Sequence, residues 1–286
     1  MSEPPSNLCV LADQYLMVSD ARALEQAVQR TGISVPLVVV NDPASPDIDP
    51  NAIAKAINNS LGVDTARVLY RVVEREGAWS LVYAERKLSE SFGTEFDSMK
   101  RVHVQDIPCL SESEFRYVTP ESEGAWKELP SDTVDLVENR CDLGARFGFG
   151  LLSGDILRAP SFGVLSFHMA DIRKYRGLGL PQAWLDGRDT IGVTLQRLNE
   201  EIDGGEIIAY TDVDVSECRT VWEAWDATYD VQGEVLATGI ENLRDPGFEP
   251  EVPGCLGSYY SLEKRRELSF AGRTLLSNVT GRYLNR

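Results

Sequence analysis

The stretch FGVLSFHMADIRKYRGLGLPQAWLDGRDTIGVTLQRLNEEIDGGEII, residues 162–208, decides how this chain is read. Gly163 to His168 is a short apolar run, long enough for a buried strand and too short for a helix. A loop rich in Gly and Pro follows. TIGVTLQRL (190–198) and EIIAYTDV (206–213) are β-rich, and they flank the turn signal Asp203-Gly204-Gly205. The pattern predicts three strands, with polar residues concentrated where strands end.

Working outward, CDLGARFG (141–148) reads as the preceding core strand. PSDTVDLVENR (130–140) reads as a helix, with Pro130 just before Ser131 and Asp132. Near the N-terminus, LCVLAD (8–13) and VPLVVVND (35–42) are predicted buried strands separated by a helix near Ala21 to Arg30. VHVQDI (102–107) is expected as a third strand. Residues 52–61 look helical, and helix and strand are hard to separate at 68–73. Apolar runs alternating with helical pattern imply an α/β fold, an open and mostly parallel twisted sheet with helices on both faces. Arg219 to Leu243 is helical in pattern. Pro246, Pro250, Pro253 and Gly254 mark a linker, and the polar remainder from Ser258 is partly helical. The expected organisation is an α/β domain over 1–212, with its informative core at 147–210, and a helical extension over 213–286.

Composition excludes several classes. Hydrophobic residues make up 43% of the 286, enough for a real core. No apolar run reaches membrane-spanning length, and the N-terminus has no signal-type segment, so a cytoplasmic protein is expected. Two histidines, His103 and His168, exclude a histidine-rich zinc site, and no metal is expected. Five scattered cysteines read as free thiols. The first predicted strand is followed by DQYLMVSDAR, with neither a dinucleotide nor a nucleotide-triphosphate Gly loop. Net charge is −17, and the 28 bases include only six Lys. Such a surface stays hydrated and self-repelling in strong salt, as in a halophile's cytoplasm. It also disfavours tight nucleic-acid binding by the bulk surface. The tail from Ser261 is the exception. Lys264, Arg265, Arg266, Arg273, Arg282 and Arg286 oppose Glu263 and Glu267 there. A helix docked on the chain's own acids is favoured over a phosphate or RNA contact. Glu74, Glu76 and Glu85 are expected on solvated faces, and His103 is read as structural.

The 162–208 stretch resembles the formyltransferase superfamily. That group spans methionyl-tRNA and glycinamide ribonucleotide formyltransferases, formyl-folate hydrolases and sugar-nucleotide N-formyltransferases. Its pattern is a strand ending in Asn-x-His, a YRG-x-x-P-x-x-W-like segment, a G-V-T strand and an acidic residue in a D-x-G-x-I-I turn. Here the counterparts are Ser166-Phe-His168, Tyr175-Arg176-Gly177, Pro181 and Trp184, Gly192-Val193-Thr194, and Asp203-Gly204-Gly205-Glu206-Ile207-Ile208. The resemblance implies a Rossmann-like formyltransferase fold and 10-formyltetrahydrofolate as co-substrate. An amine would attack the formyl carbon, and fixed donors would stabilise the charge on the formyl oxygen. It implies that His168 supplies such a donor and that Asp203 orients His168 and helps move protons. Ser166 is the departure, because a hydroxyl stands where the family has an amide.

The same resemblance implies a pterin slot at Phe149, Gly150, Leu151 and Leu152, with Gly204 beside the acidic turn residue. Asp171, Tyr175 and Arg176 are substrate-side candidates. Tyr175 and Arg176 are expected to shape the loop over the site, with Arg176 also suited to an anionic substrate. An amino-sugar nucleotide or another small amine is the expected acceptor. Initiator tRNA is disfavoured, because the segment after 210 shows no run of short alternating strands suited to an OB-like module. Two alternatives stay open, water as acceptor (a formyl-folate hydrolase) and a non-catalytic folate- or nucleotide-sugar-binding protein on the same scaffold. The oligomeric state is open too.

Overall fold

A computed structural model describes residues 3–42, 70, 72–90 and 96–283. The helix expected at 52–61 lies outside them. The main sheet has seven strands: β1 (Asn7–Asp13), β2 (Ser34–Asn41), β3 (Glu114–Val118), β4 (Leu143–Phe147), β5 (Val164–His168), β6 (Thr190–Arg197) and β7 (Glu206–Asp214). Their order is β7-β6-β5-β4-β1-β2-β3. Strands β3, β2, β1, β4 and β5 run parallel, and β6 and β7 are added antiparallel. This is the mostly parallel α/β sheet expected from the alternation of apolar runs.

Strand β1 shows why it lies at the centre. Leu8, Val10 and Ala12 point into one core, while Cys9 and Leu11 point into the other, and all five are fully buried. A strand whose alternate residues are apolar on both sides must be covered on both faces. On one face lie α1 (Val18–Thr31), α2 (Trp79–Glu90) and the C-terminal helices. On the other lies α3 (Ser131–Arg140), through Val137. The next helices are α4 (Leu180–Leu185), α5 (Val221–Asp230), α6 (Gln232–Arg244) and α7 (Leu268–Tyr283). Helix α6 packs on α1, β6 and β7, and its Leu236, Ala237 and Ile240 are fully buried in the same core. The first half of the expected extension thus shares the core of the α/β body.

Two sequence expectations need correction. Residues 102–107 are not a strand of the main sheet. Arg101–His103 pairs antiparallel with Tyr15–Met17 outside it, and Val104–Asp106 and Pro108–Leu110 then form 3₁₀ turns. Pro108 has no N–H to continue a ladder, and the third parallel strand is β3. The acids Glu76 and Glu85 are not on solvated faces. Glu76 is 3% exposed and holds Arg75 (2.8 Å) and Arg265 (3.0 Å). Glu85 accepts from Trp222 Nε1 and Asn278 Nδ2, each at 2.9 Å, and pairs with Arg282. The basic tail thus docks on the chain's own acids. Glu74 is exposed, and His103 packs edge-on against Tyr15. Among the described residues no helix is long and apolar enough to cross a membrane.

Candidate functional site

The sheet changes winding direction at β1, where one connection leads to β2 and the other side is taken by β4. The crevice at the carboxyl ends of such strands is where open α/β sheets bind ligands. A cavity of about 400 Å³ opens there. Asp13 from the end of β1, Arg146 and Phe147 from β4, and Ser166 and His168 from β5 line it. Ser166 and His168 are two residues apart on one strand, so they share a face. Gly148, Gly150, Gly177 and Gly179 form its rim, and Asp20, Arg101, Trp225, Tyr229 and Gln232 complete it.

His168 is 7% exposed, and both of its ring nitrogens are engaged by the protein. Nε2 lies 2.9 Å from the Tyr175 carbonyl, which can only accept, so Nε2 carries the hydrogen of that bond. Nδ1 lies 3.3 Å from Asp203 Oδ1. Asp203 stands behind the ring, outside the cavity lining. Its Oδ2 accepts from the Gly177 N–H at 2.8 Å, and its Oδ1 from Gln196 Nε2 at 3.3 Å. Burial pushes the Asp203 carboxyl up. The facing His168, the Gly177 N–H and the Gln196 amide outweigh that and hold it at about 2.

The Asp203 turn is built to present that carboxylate. Asp203 has φ +47°, a left-handed backbone that Asp tolerates better than most residues. A β-bulge at Leu195/Gln196 interrupts the β6–β7 ladder, and Gln196 holds the turn from both sides. Its Oε1 accepts from the Gly205 N–H at 3.0 Å while its Nε2 reaches Asp203. Gly204 closes the turn through its N–H to the Glu201 carbonyl at 3.2 Å. Arg176 latches it, donating to Glu201 Oε1 (2.7 Å), to the Ile202 carbonyl (3.2 Å) and to the Gly257 carbonyl (3.1 Å). The guanidinium of Arg176 is used on the loop and does not line the cavity.

Other sequence candidates fall elsewhere. Tyr175 contributes its carbonyl to His168, while its hydroxyl donates to Asp186 and accepts from Arg188. Asp171 is 5% exposed and engaged by Arg173 (2.7 Å) and Lys174 (3.2 Å), away from the cavity lining. Of the four slot residues, Gly150 lines the cavity. Phe149 and Leu152 are buried in the core on the opposite face of the sheet, and Leu151 pairs with Trp126 in a short strand. Phe149 has φ +67°, a strained backbone for an aromatic residue, pinned by its N–H to Asp13 Oδ1 at 3.0 Å.

Four charged residues of the cavity are unmarked in the sequence: Arg101, which donates to the Tyr15 carbonyl at 3.1 Å, and three others. Arg146 sits mid-strand, donating from Nε (3.1 Å) and Nη2 (2.8 Å) to Ser166 Oγ and from Nη1 to the Gly150 carbonyl. Asp13 ends β1 and also accepts from Asn41 Nδ2 at 2.8 Å. Asp20, in the first turn of α1, accepts from the Met17 N–H at 3.3 Å and Gln232 Nε2 at 3.4 Å. Burial pushes the Asp20 carboxyl up to about 6, more than the Met17 N–H, Arg101 and Gln232 pull it down. The one available signal was an Arg inside an otherwise apolar strand, Leu143-Gly-Ala-Arg146-Phe, because Arg is rarely placed there without a task.

A strand-end histidine thus faces a buried carboxylate at the switch point of an open α/β sheet. The Formyl transferase family model matches residues 127–240, which include β4 to β7 and both His168 and Asp203. A methionyl-tRNA formyltransferase of Bacillus licheniformis is 26% identical over 190 residues, 63% of this chain. This chain covers 60% of that relative's length, and 35% of a Bacillus thuringiensis one that is 27% identical. Among solved structures, an N-formyltransferase from Helicobacter canadensis, in complex with folinic acid and dTDP-3-aminofucose, superposes with a TM-score of 0.51. It is 12% identical, over 96% of this chain and 81% of that one. A formyltetrahydrofolate deformylase from Pseudomonas syringae gives 0.51 at 16% identity, over 88% and 66%. Residues 127–240 are thus similar to the Formyl transferase family, and the solved structures share the fold.

Proposed function

We propose that this chain transfers the formyl group of 10-formyltetrahydrofolate to a small amine. The observation that carries the reading is the His168–Asp203 pair, with His168 on the wall of a cavity of about 400 Å³ at the sheet's switch point. Ligand pockets typically run to roughly 300–1,000 Å³. The cavity fits the flat, partly apolar end of a folate. Gly148, Gly150, Gly177 and Gly179 leave backbone accessible to a ring, and Phe147, Phe167, Met169 and Leu178 supply apolar surface.

The rest of the cavity supports the acceptor class. Asp13 and Asp20 put two carboxylates on its lining, with Trp225 and Tyr229 beside them. Carboxylates and aromatic faces attract a cationic amine. A chain of net charge −17 is a poor platform for tRNA, which favours a small acceptor such as an amino-sugar nucleotide. A cytoplasmic setting and adaptation to high salt belong to the same reading, and the acidic, Lys-poor composition supports the second.

The test follows 10-formyltetrahydrofolate consumption in several molar salt. dTDP-3-aminofucose, glycinamide ribonucleotide and initiator methionyl-tRNA serve in turn as acceptors, with formate release to water measured alongside. Formylated product from a small amine, abolished in His168→Ala, is the expected result. Formate release at the same rate without any acceptor makes the chain a hydrolase. No loss of the formyl group under any condition overturns the reading.

A further inference from the structure

We propose that Arg146 is a catalytic residue of this site, and that its guanidinium, together with Ser166, binds the oxyanion that forms when the amine adds to the formyl carbon. The inference rests on the formyl-transfer reading and adds a residue that the family pattern does not contain.

Three observations carry it. The first is that His168 has no ring N–H left for a ligand. Nε2 is bonded to the Tyr175 carbonyl and Nδ1 faces Asp203. The role of oxyanion donor, which the family resemblance gives to His and Asn, has to be met by other groups of the cavity.

The second is the geometry of Arg146. It stands on β4 opposite Ser166 of β5 in register, and both line the cavity. Its Nε and Nη2 fork onto the Ser166 oxygen, and Nη1 reaches the Gly150 carbonyl. Those three bonds leave two of the five N–H groups of a guanidinium for a ligand. Among the described residues no carboxylate lies within ion-pair distance of it. Asp203 and Asp13 act on it only through space, and burial holds its pKa below the ordinary guanidinium value. A half-buried cation without an ion-pair partner is a cost to the fold. An anion formed during turnover would supply the missing charge.

The third is Ser166 itself, 2% exposed. A serine is too short to reach where an asparagine amide would stand. The Arg146 guanidinium occupies the space over its oxygen and brings donors to that place. The Ser166 hydroxyl accepts from Arg146 and donates to the Phe167 carbonyl at 3.4 Å, a long bond that its hydrogen can exchange for one to a ligand. The change at Ser166 and the charged residue at Arg146 are then two halves of one substitution.

The step balances as follows. The amine nitrogen forms a bond to the formyl carbon, and the C=O π pair moves onto the formyl oxygen facing Arg146. The pair returns as the bond from carbon to folate N10 breaks, and one proton passes net from the acceptor nitrogen to N10. Arg146 stays protonated throughout.

The experiment measures kcat and KM on the full chain with 10-formyltetrahydrofolate, the three acceptors above and formate release. Removing one oxyanion donor costs roughly 10²–10³ in rate. Arg146→Gln is expected to lose that factor in kcat with KM for the folate within about threefold, and millimolar guanidinium to restore part of it. Arg146→Lys, which keeps charge without the fork, is expected to fall between. The double variant Arg146→Val with Ser166→Asn, the amide returned and the cation removed, is expected to recover more rate than Arg146→Val alone. Calorimetric binding of 5-formyltetrahydrofolate with unchanged affinity shows that each variant keeps its site. Wild-type kcat in Arg146→Gln and Arg146→Lys, with His168→Ala inactive, overturns this inference and leaves the formyl-transfer reading standing. A wild type that neither transfers nor releases formyl groups overturns both.

Discussion

His168 Nδ1 and Asp203 Oδ1 face each other at 3.3 Å, one from the end of a parallel strand and the other from a left-handed turn residue 35 positions later. The carboxylate is behind the ring and the cavity in front of it. Asp203 therefore bears on the cavity by holding the His168 ring in place, and the pair is held by backbone at both ends. The Tyr175 carbonyl fixes Nε2, and the Gly177 N–H fixes Asp203 Oδ2. Both come from the same three-residue strand, Tyr175–Gly177, which makes that strand the frame of the site.

Asp203→Asn keeps the shape and removes the charge. Formyl-group transfer is expected to fall by roughly 10²-fold or more, because the His168 ring and the Asp203 turn lose the charge that holds them together. The acid stability profile is expected to change as well. The folded-state pKa of about 2 lies below the ordinary 3.8, so the carboxylate stabilises the fold above about pH 4. That contribution, on the order of 2 kcal/mol, is lost as pH falls toward 2. Urea unfolding at pH 5, 3 and 2 is expected to show a shallower acid decline in Asp203→Asn than in the wild type.

Asp20→Asn is expected to do the opposite to stability. Its folded-state pKa of about 6 is above the ordinary 3.8, so the carboxylate costs nothing below about pH 4. The penalty grows as pH rises toward 6 and is complete above it, on the order of 3 kcal/mol. The variant should therefore unfold at higher urea than the wild type at pH 8 and at the same urea at pH 4. If Asp20 receives the acceptor amine, KM for that amine rises while KM for the folate does not. A gain in stability paired with a loss in acceptor use is the pattern expected of a residue kept for binding.

The sequence reveals some of these residues and hides others for physical reasons. His168 and Asp203 were legible because each ends an element, a strand and a Gly-rich turn, in an order that few folds share. The central strands were legible because alternate residues of β1 and β2 are apolar on both faces. Residues 102–107 misled, because Val-His-Val alternates like a strand while Pro108 and the nearby Tyr15–Met17 edge draw the segment out of the sheet. Glu85 looked solvated because its partners arrive from far along the chain, Asn278 and Arg282 in α7. Arg146 was hidden by its strand, since period-2 patterning says which face a side chain takes and nothing about what waits there. Asp20 was hidden by its helix, where an acid in the first turn is ordinary.

Gly179→Ala tests how tightly His168 is boxed in. Gly179 has φ +51°, and a Cβ there would stand 3.1 Å from His168 Cε1 and Nε2 and from the Met169 carbonyl. Alanine has to strain the backbone, by about 1 kcal/mol or more, and to push the ring from the Tyr175 carbonyl. The expected result is a folded protein with a modestly lower Tm and kcat reduced at least tenfold. Unchanged kcat would show that the ring is free to move without cost.

Arg176 is a positioning residue, and its variants separate holding from charge. The ion pair with Glu201 is more than half exposed on the acid's side and adds little by itself. The bonds to the Ile202 and Gly257 carbonyls do the holding, because they tie the Asp203 turn to the linker that follows α6. Lysine carries the charge but cannot reach two carbonyls and a carboxylate from one planar fork. Arg176→Lys is therefore expected to behave like Arg176→Ala, with kcat down about tenfold and KM changed less than threefold. Amide exchange at residues 201–205 should quicken in both. Full activity in Arg176→Lys would show that charge alone suffices, and that the turn keeps its shape without the latch.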